Sequence, residues 1–303
     1  MLLAVSIFLP VLMRFISPSL TKEIVRDLRP LRILHYVVLA LLGIAVVDND
    51  ERLAEFFAGR ETMFVFPLFI IAITYAAVFA IVTNNLEDLE ADKFTNPSRP
   101  LVLETVNKDS YLLAGILCLA YSLFLSFLVR KEMFFGIIAI SAGYYIYSCR
   151  PFRIKKIPIV SKLFIGLNSF MLAVCGFLLT GGILKDFPLN WALFILLPLS
   201  LSANFVDIKD IEGDKKTGVN TLPVLFGERK AKAFIAVCTL CTYLMASILI
   251  NIIWFYPLVI LMAVLHCYLL YRKPYNEKPI FIVYISGLLG LEIILFFHKY
   301  LPG

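Results

Sequence analysis

Apolar residues in this chain come in long runs rather than in stripes. Runs of about 17–25 residues, each long enough to cross a hydrocarbon core, recur between short polar loops. A soluble core would show shorter runs, with a polar face on every helix. The pattern predicts an all-α integral membrane protein with nine transmembrane helices, at about 31–47, 63–90, 108–129, 133–150, 160–183, 190–210, 229–249, 252–271 and 279–299. Only Asn251 and the WFYP stretch mark the boundary between the seventh and eighth. Residues 1–20 are apolar but broken by Pro10, Arg14 and Pro18. They lack the basic start and small-residue cleavage pattern of a signal peptide, and they read as lying in the membrane interface. The expected organisation is an N-terminal interfacial segment over 1–30 and a nine-helix domain over 31–303.

Composition agrees with the pattern: 60% of the 303 residues are hydrophobic and 17% are charged. The net charge of +6 matters through its distribution. With the N-terminus in the cytoplasm, 22 Lys and Arg fall on inside segments and 6 outside, the bias expected of a multi-pass membrane protein. An odd number of spans then puts the C-terminus outside. The charge is explained by loop topology, with no nucleic-acid partner. Cys238 and Cys241 form a CxxC inside an apolar run, with no His or Cys at metal spacing, and read as helix-packing residues. His35, His266 and His298 are scattered and suggest no His-based metal site.

The acidic residues are not scattered. DLEADK at 88–93 and DIEGDK at 210–215 repeat one hexapeptide at the ends of the second and sixth predicted spans, on the same side of the bilayer under the charge rule. Asn84, Asp88 and Asp92 recur at i, i+4 and i+8, which on a helix drifts by only about 80° over roughly 12 Å. Asp207, Asp210 and Asp214 fall within about 60° of one another on the same arithmetic. Such stripes repel themselves and are costly at the edge of an apolar span unless a cation sits among them. Oxygen donors alone suit Mg²⁺, which shares carboxylates with phosphate-bearing substrates. Two sets suit two or more Mg²⁺ ions clamping a diphosphate. The plainer alternative is a pair of solvated helix ends neutralised by Lys93 and Lys215. Basic loops on the same side supply candidate diphosphate partners: Arg99 in DKFTNPSRPL, and Tyr147, Arg150, Arg153, Lys155 and Lys156 in YYIYSCRPFRIKKIP.

These motifs resemble the UbiA superfamily of intramembrane prenyltransferases. Its N-x-x-x-D-x-x-x-D pattern matches Asn84, Asp88 and Asp92, and its second D-x-x-x-D matches Asp210 and Asp214, with Asp207 as an upstream acid. Its Arg-Pro matches Arg99-Pro100, and its tyrosine-led loop is similar to YSCRPFRIK, with Tyr147, Arg153 and Lys155. A Gly-x-x-T-L-P tail matches Gly218 to Pro223. The resemblance covers the chain from about Arg29 onward, and Asn85 and Lys93 depart from the commoner form, which has Asp and Arg there. It implies nine helices around a central cavity with cytoplasmic cap loops. It also implies Mg²⁺ on the aspartates, a prenyl diphosphate donor bound by Asn84, Arg99, Tyr147, Arg153, Lys155 and Asp207, and alkylation of a hydrophobic acceptor within the lipid bilayer. An aromatic quinone precursor is the first acceptor expected, and a prenylated glycerol phosphate of ether-lipid synthesis is the alternative.

Two other classes stay in view. A cation-coupled transporter would place acids near the bilayer midplane, where Glu292 and Asn168 are the polar residues, both read as snorkelling or interhelical hydrogen bonding. A CDP-alcohol phosphotransferase would carry D-G-x-x-A-R, which is absent.

Overall fold

A computed structural model describes residues 9, 11, 13–14, 17–59, 62–157, 160–251 and 255–300. The expected interfacial segment over 1–20 lies largely outside these residues. No strand occurs among them. In chain order the helices are α1 (Pro18–Asp27), α2 (Pro30–Ala45), α3 (Asp50–Ala58), α4 (Thr62–Glu87), α5 (Leu89–Thr95), α6 (Lys108–Val129), α7 (Lys131–Ser148), α8 (Val160–Leu179), the interrupted α9 (Leu189–Asp207), α10 (Ile211–Thr217), α11 (Leu222–Phe226), α12 (Glu228–Ile250), α13 (Tyr256–Tyr271) and α14 (Glu277–Tyr300).

Every expected span coincides with a helix, but the count of nine is only partly met. Six described helices are long and apolar enough to cross a bilayer: α4, α6, α8, α9, α12 and α14. Helices α1 and α2, bent by 69°, would make a seventh as one broken span. The bend has a local cause: Pro30 has no N–H to donate, and its ring disfavours helical geometry at Arg29. At the fourth expected span stands α7, and at the eighth the shorter apolar α13. Between α12 and α13, Asn251 turns the chain with a left-handed φ of 51°.

The chain divides into two compact units. The first comprises residues 1–37, 51–153 and 178–180. In it α4 packs against α6 and α7, and α6 against α7. A Cβ on Gly115 would come within 2.6 Å of Val82, so the small residue sets how closely α6 lies on α4. Ser122 of α6 donates to the Ala72 carbonyl of α4 at 2.6 Å, an interhelical bond of the kind that holds apolar helices together in lipid.

The second unit comprises 38–50, 154–177 and 181–303. The C-terminal half of α2 crosses α8 at reciprocal glycines. A Cβ on Gly43 would lie 1.8 Å from the Ala173 carbonyl oxygen, and one on Gly176 would lie 1.8 Å from that of Ala40. Helix α9 widens over Ile195–Leu199 around Pro198 and tightens over Ala203–Asp207. Proline removes a donor from the helical ladder, which accounts for the irregular turn. Helices α12 and α13 pack together, as do α13 and α14.

The midplane residues do not behave as expected. Asn168 bonds the Phe164 carbonyl of its own helix at 3.2 Å. Glu292 is 3% exposed, with Oε1 lacking a hydrogen-bond partner, so it neither snorkels nor bridges through that oxygen.

Candidate active site

The two hexapeptides fold alike. Asp88 directly follows the last residue of α4, and Asp210 closes a short turn after α9, in nearly identical backbone conformations, φ −95° with ψ 7° and φ −95° with ψ 6°. Each opens a seven-residue helix, α5 or α10, whose fourth residue is the second aspartate, Asp92 or Asp214. A single straight helix through Asn84, Asp88 and Asp92 was expected, and the chain instead breaks at Asp88. Hydrogen bonding nevertheless continues through the break, from Asp88 N–H to the Asn84 carbonyl at 2.9 Å and from Asp92 N–H to the Asp88 carbonyl at 2.8 Å. The second motif keeps the same bond, Asp214 N–H to the Asp210 carbonyl at 2.8 Å. Neither Asp88 nor Asp210 caps its own helix through its side chain, and Asp88 turns to another element.

In the first unit the motif aspartates pair with arginines. Arg153 donates to Asp88 at 3.0 Å, and Arg99 pairs with Asp92, which is 4% exposed. Arg153 holds a left-handed φ of 45°, a strained conformation for a residue with a Cβ. Ser148, at the end of α7, donates to Asn84 at 3.1 Å, and Arg150 reaches Glu87 at 3.3 Å. Burial raises the pKa of Asp92 despite the opposing charge of Arg99. Tyr147 sits half-buried near the end of α7.

Behind Asp92 lies a polar network that the motif pattern did not reveal. Asn85 is 1% exposed and joins four groups. Its Oδ1 accepts from Arg99 at 2.9 Å and from Arg29 at 2.6 Å. Its Nδ2 donates to Asp27 at 2.8 Å and to the Tyr111 hydroxyl at 3.2 Å. Tyr111 in turn donates to Asp27 at 2.5 Å. The only sequence signal for this network was that Asn85 departs from the family pattern.

In the second unit Lys162 of α8, 6% exposed, pairs with Asp207. The place of Lys162 at the start of a predicted span gives no sign of this role in the sequence. Thr221, from the Gly-x-x-T-L-P tail, donates to Asp214 at 3.2 Å. Burial, reinforced by Asp207 and Asp210, pushes the Asp214 carboxyl up to about 7. Lys155 lies on the short turn Ile154–Lys156 of this unit.

Among the described residues, no three His, Cys, Asp or Glu side chains are grouped to hold a metal ion as they stand. The expected Mg²⁺ sets are instead neutralised in part by the protein's own cations. The donor chemistry still fits Mg²⁺: all-oxygen carboxylates that are desolvated, with a mutually repelling set around Asp214, a strain that a divalent cation would relieve. The solvated-cap alternative loses ground, because Lys93 pairs with Glu90 and Lys215 with Glu212, not with the motif aspartates.

Residues 53–288 match the model of the UbiA prenyltransferase family. The chain is 30% identical over 239 residues to a digeranylgeranylglyceryl phosphate synthase of Sulfolobus acidocaldarius, covering 77% of this chain and 73% of that protein. It is 24% identical over 225 residues to the enzyme of the same name from Methanosphaera stadtmanae, covering 73% and 80%. In fold it resembles a UbiA homolog from Archaeoglobus fulgidus bound to GPP and Mg²⁺, with a TM-score of 0.70 at 17% identity, over 92% of this chain and 98% of that one.

Proposed function

Because the chain belongs to the UbiA prenyltransferase family, we propose that it is a membrane-embedded transferase that moves a prenyl group from a polyprenyl diphosphate to a prenylated glycerol phosphate. The observation that carries the chemistry is the duplicated aspartate break, the first copy paired to the half-buried Arg153 and Arg99, and the acid just upstream of the second, Asp207, paired to the buried Lys162. Asp88 and Asp92, with Asn84, and Asp210 and Asp214, with Asp207, are the residues that would hold Mg²⁺. Two or more ions are expected from two such sets. Bound there, Mg²⁺ would draw charge off the departing diphosphate.

The protein's own groups do the rest. In the metal-free state Arg153 and Arg99 neutralise Asp88 and Asp92. A bound diphosphate would offer these guanidinium groups phosphate oxygens instead, with Tyr147 as a further contact in the same unit; Lys155 is a candidate phosphate contact of the second unit. Heterolysis breaks the allylic C1–O bond, and the diphosphate leaves with the electron pair. An acceptor hydroxyl oxygen then bonds to C1 and gives up its proton to solvent or a carboxylate.

The aromatic acceptor expected from the sequence gives way here to the glycerol phosphate, because both sequence relatives above are named digeranylgeranylglyceryl phosphate synthase. The name describes a glyceryl phosphate carrying two geranylgeranyl groups. Likewise the Archaeoglobus homolog's Mg²⁺ and GPP support the donor and metal. The bias of basic loops supports a cytoplasmic N-terminus. Purified protein given Mg²⁺, labelled geranylgeranyl diphosphate and either geranylgeranylglyceryl phosphate or hydroxybenzoate tests the reading. Label is expected in an ether lipid. Label in a prenylated ring would restore the aromatic acceptor, and no label with either would remove the reaction.

A further inference from the structure

The second unit holds a cavity of about 50 Å³ between α9, α12, α13 and α14, several times the roughly 10–15 Å³ that one water needs. Among the described residues no Asp, Glu, Lys or Arg lines it, so it is not built for a diphosphate. Its polar features are few and pointed.

His266 lines the cavity, is 1% exposed, and has no hydrogen-bond partner on either ring nitrogen. Edge contacts from Phe205 at 5.7 Å and Tyr243 at 6.2 Å fix the plane of its ring. Thr239, also lining and 1% exposed, leaves its hydroxyl unpartnered. One turn on, Thr242 makes the usual bond to its own helix, to the Cys238 carbonyl at 2.8 Å. Orphaned groups of this kind are costly in an apolar setting and are rarely left so.

A glycine gives independent support. Gly290 lies inside α14, where glycine weakens a helix. Gly43 and Gly176 are required by close backbone crossings, but a Cβ on Gly290 would meet nothing within 4 Å. Packing within the chain does not require this glycine, and its missing side chain leaves room in the cavity wall. At the rim Leu258 and Ser286 are exposed, which opens the cavity to the lipid-facing surface.

We propose that this cavity is a binding site for a neutral lipid: an apolar prenyl or acyl chain carrying one uncharged hydroxyl, recognised by His266 and Thr239. A hydroxyl both donates and accepts, which suits a neutral imidazole and a threonine. The inference does not rest on the proposed reaction.

The test uses the full chain in lipid nanodiscs without Mg²⁺, photolabelled by a diazirine analogue of geranylgeraniol. Saturable label is expected on peptides of α12 to α14. Unlabelled geranylgeraniol should compete, and the matching hydrocarbon without the hydroxyl should not. His266→Leu should weaken labelling about tenfold, His266→Gln should retain most of it, and Gly290→Leu should abolish it. Asp88→Asn and Asp210→Asn should leave it unchanged. Label on other helices, equal competition by the hydrocarbon, or full labelling of His266→Leu would overturn the site. So would complete displacement by Mg²⁺ and geranylgeranyl diphosphate, which would make the cavity part of the donor's own tail site. The competition arms use wild-type protein, so they decide the matter even if a variant fails to fold.

Discussion

Asp214 makes the pH dependence of metal binding testable at a single residue. Its carboxyl is raised to about 7, first by burial and then by Asp207 and Asp210. A raised carboxylate pKa means that the folded state favours the proton. The group's contribution to stability is therefore present below about pH 4, its ordinary range, and is lost as pH rises through about 7. Mg²⁺ needs the ionised form, so it competes with that proton. Mg²⁺-dependent thermal stabilisation should rise from about pH 6 to about pH 8 and then level off, a range of about one unit either side of that pKa. In Asp214→Asn the rise should vanish. A wild-type profile flat across this range would show that Asp214 is not a metal competitor. Asn85 makes a different point at the same scale. An aspartate there could still accept from Arg29 and Arg99, but it could not donate to Asp27 and Tyr111. Asn85→Asp should therefore cost about 2 kcal/mol or more by placing a second acid against Asp27, read as a lowered unfolding midpoint in detergent. The sequence flagged Asn85 as a departure but could not explain it, because its partner Asp27 lies 58 residues away.

Among the elements, the repeated hexapeptide was legible and its shape was not. Spacing placed Asn84, Asp88 and Asp92 on one face, and the hydrogen bonds keep that relation. The break at Asp88 and its twin at Asp210 are backbone events that residue periodicity cannot register. Span positions were likewise readable from apolar runs, because each run must satisfy its backbone internally as a helix. The interior irregularity of α9 at Pro198 and the bend before Pro30 were hidden, since proline is tolerated within apolar runs. Glycines show the same limit: Gly43 and Gly290 look equivalent in sequence. A Cβ at position 43 would lie 1.8 Å from a backbone oxygen, whereas at 290 it would meet nothing within 4 Å. Gly43→Ala should force α2 from α8 and cost roughly 1–3 kcal/mol. Gly290→Ala should be neutral or stabilising by up to about 1 kcal/mol. Thermal melts of both variants in one detergent check the contrast. Equal losses would mean that the crossing at Gly43 is not tight.

Over the whole molecule, the first aspartate set belongs to one compact unit and the second to the other. Whether one ligand engages both sets is a thermodynamic question, and a mutant cycle answers it. The probe is the non-ionisable thiolo analogue of geranylgeranyl diphosphate, with Mg²⁺, read as thermal stabilisation of the folded chain. If a single metal-bound diphosphate uses both sets, Asp88→Asn and Asp210→Asn should each remove most of the stabilisation. The double variant should then lose little more than either single variant, because groups serving one ligand couple strongly. Arg99→Ala should weaken the effect less, since it removes one phosphate contact and leaves the carboxylates in place. The protein's own charge pairs give a control: without Mg²⁺ and analogue, Asp88→Asn should cost some stability by leaving Arg153 without its carboxylate. Losses from Asp88→Asn and Asp210→Asn that simply add would mean two independent sites. The duplicated hexapeptide would then be two separate metal-binding helix ends, not the two halves of one diphosphate clamp.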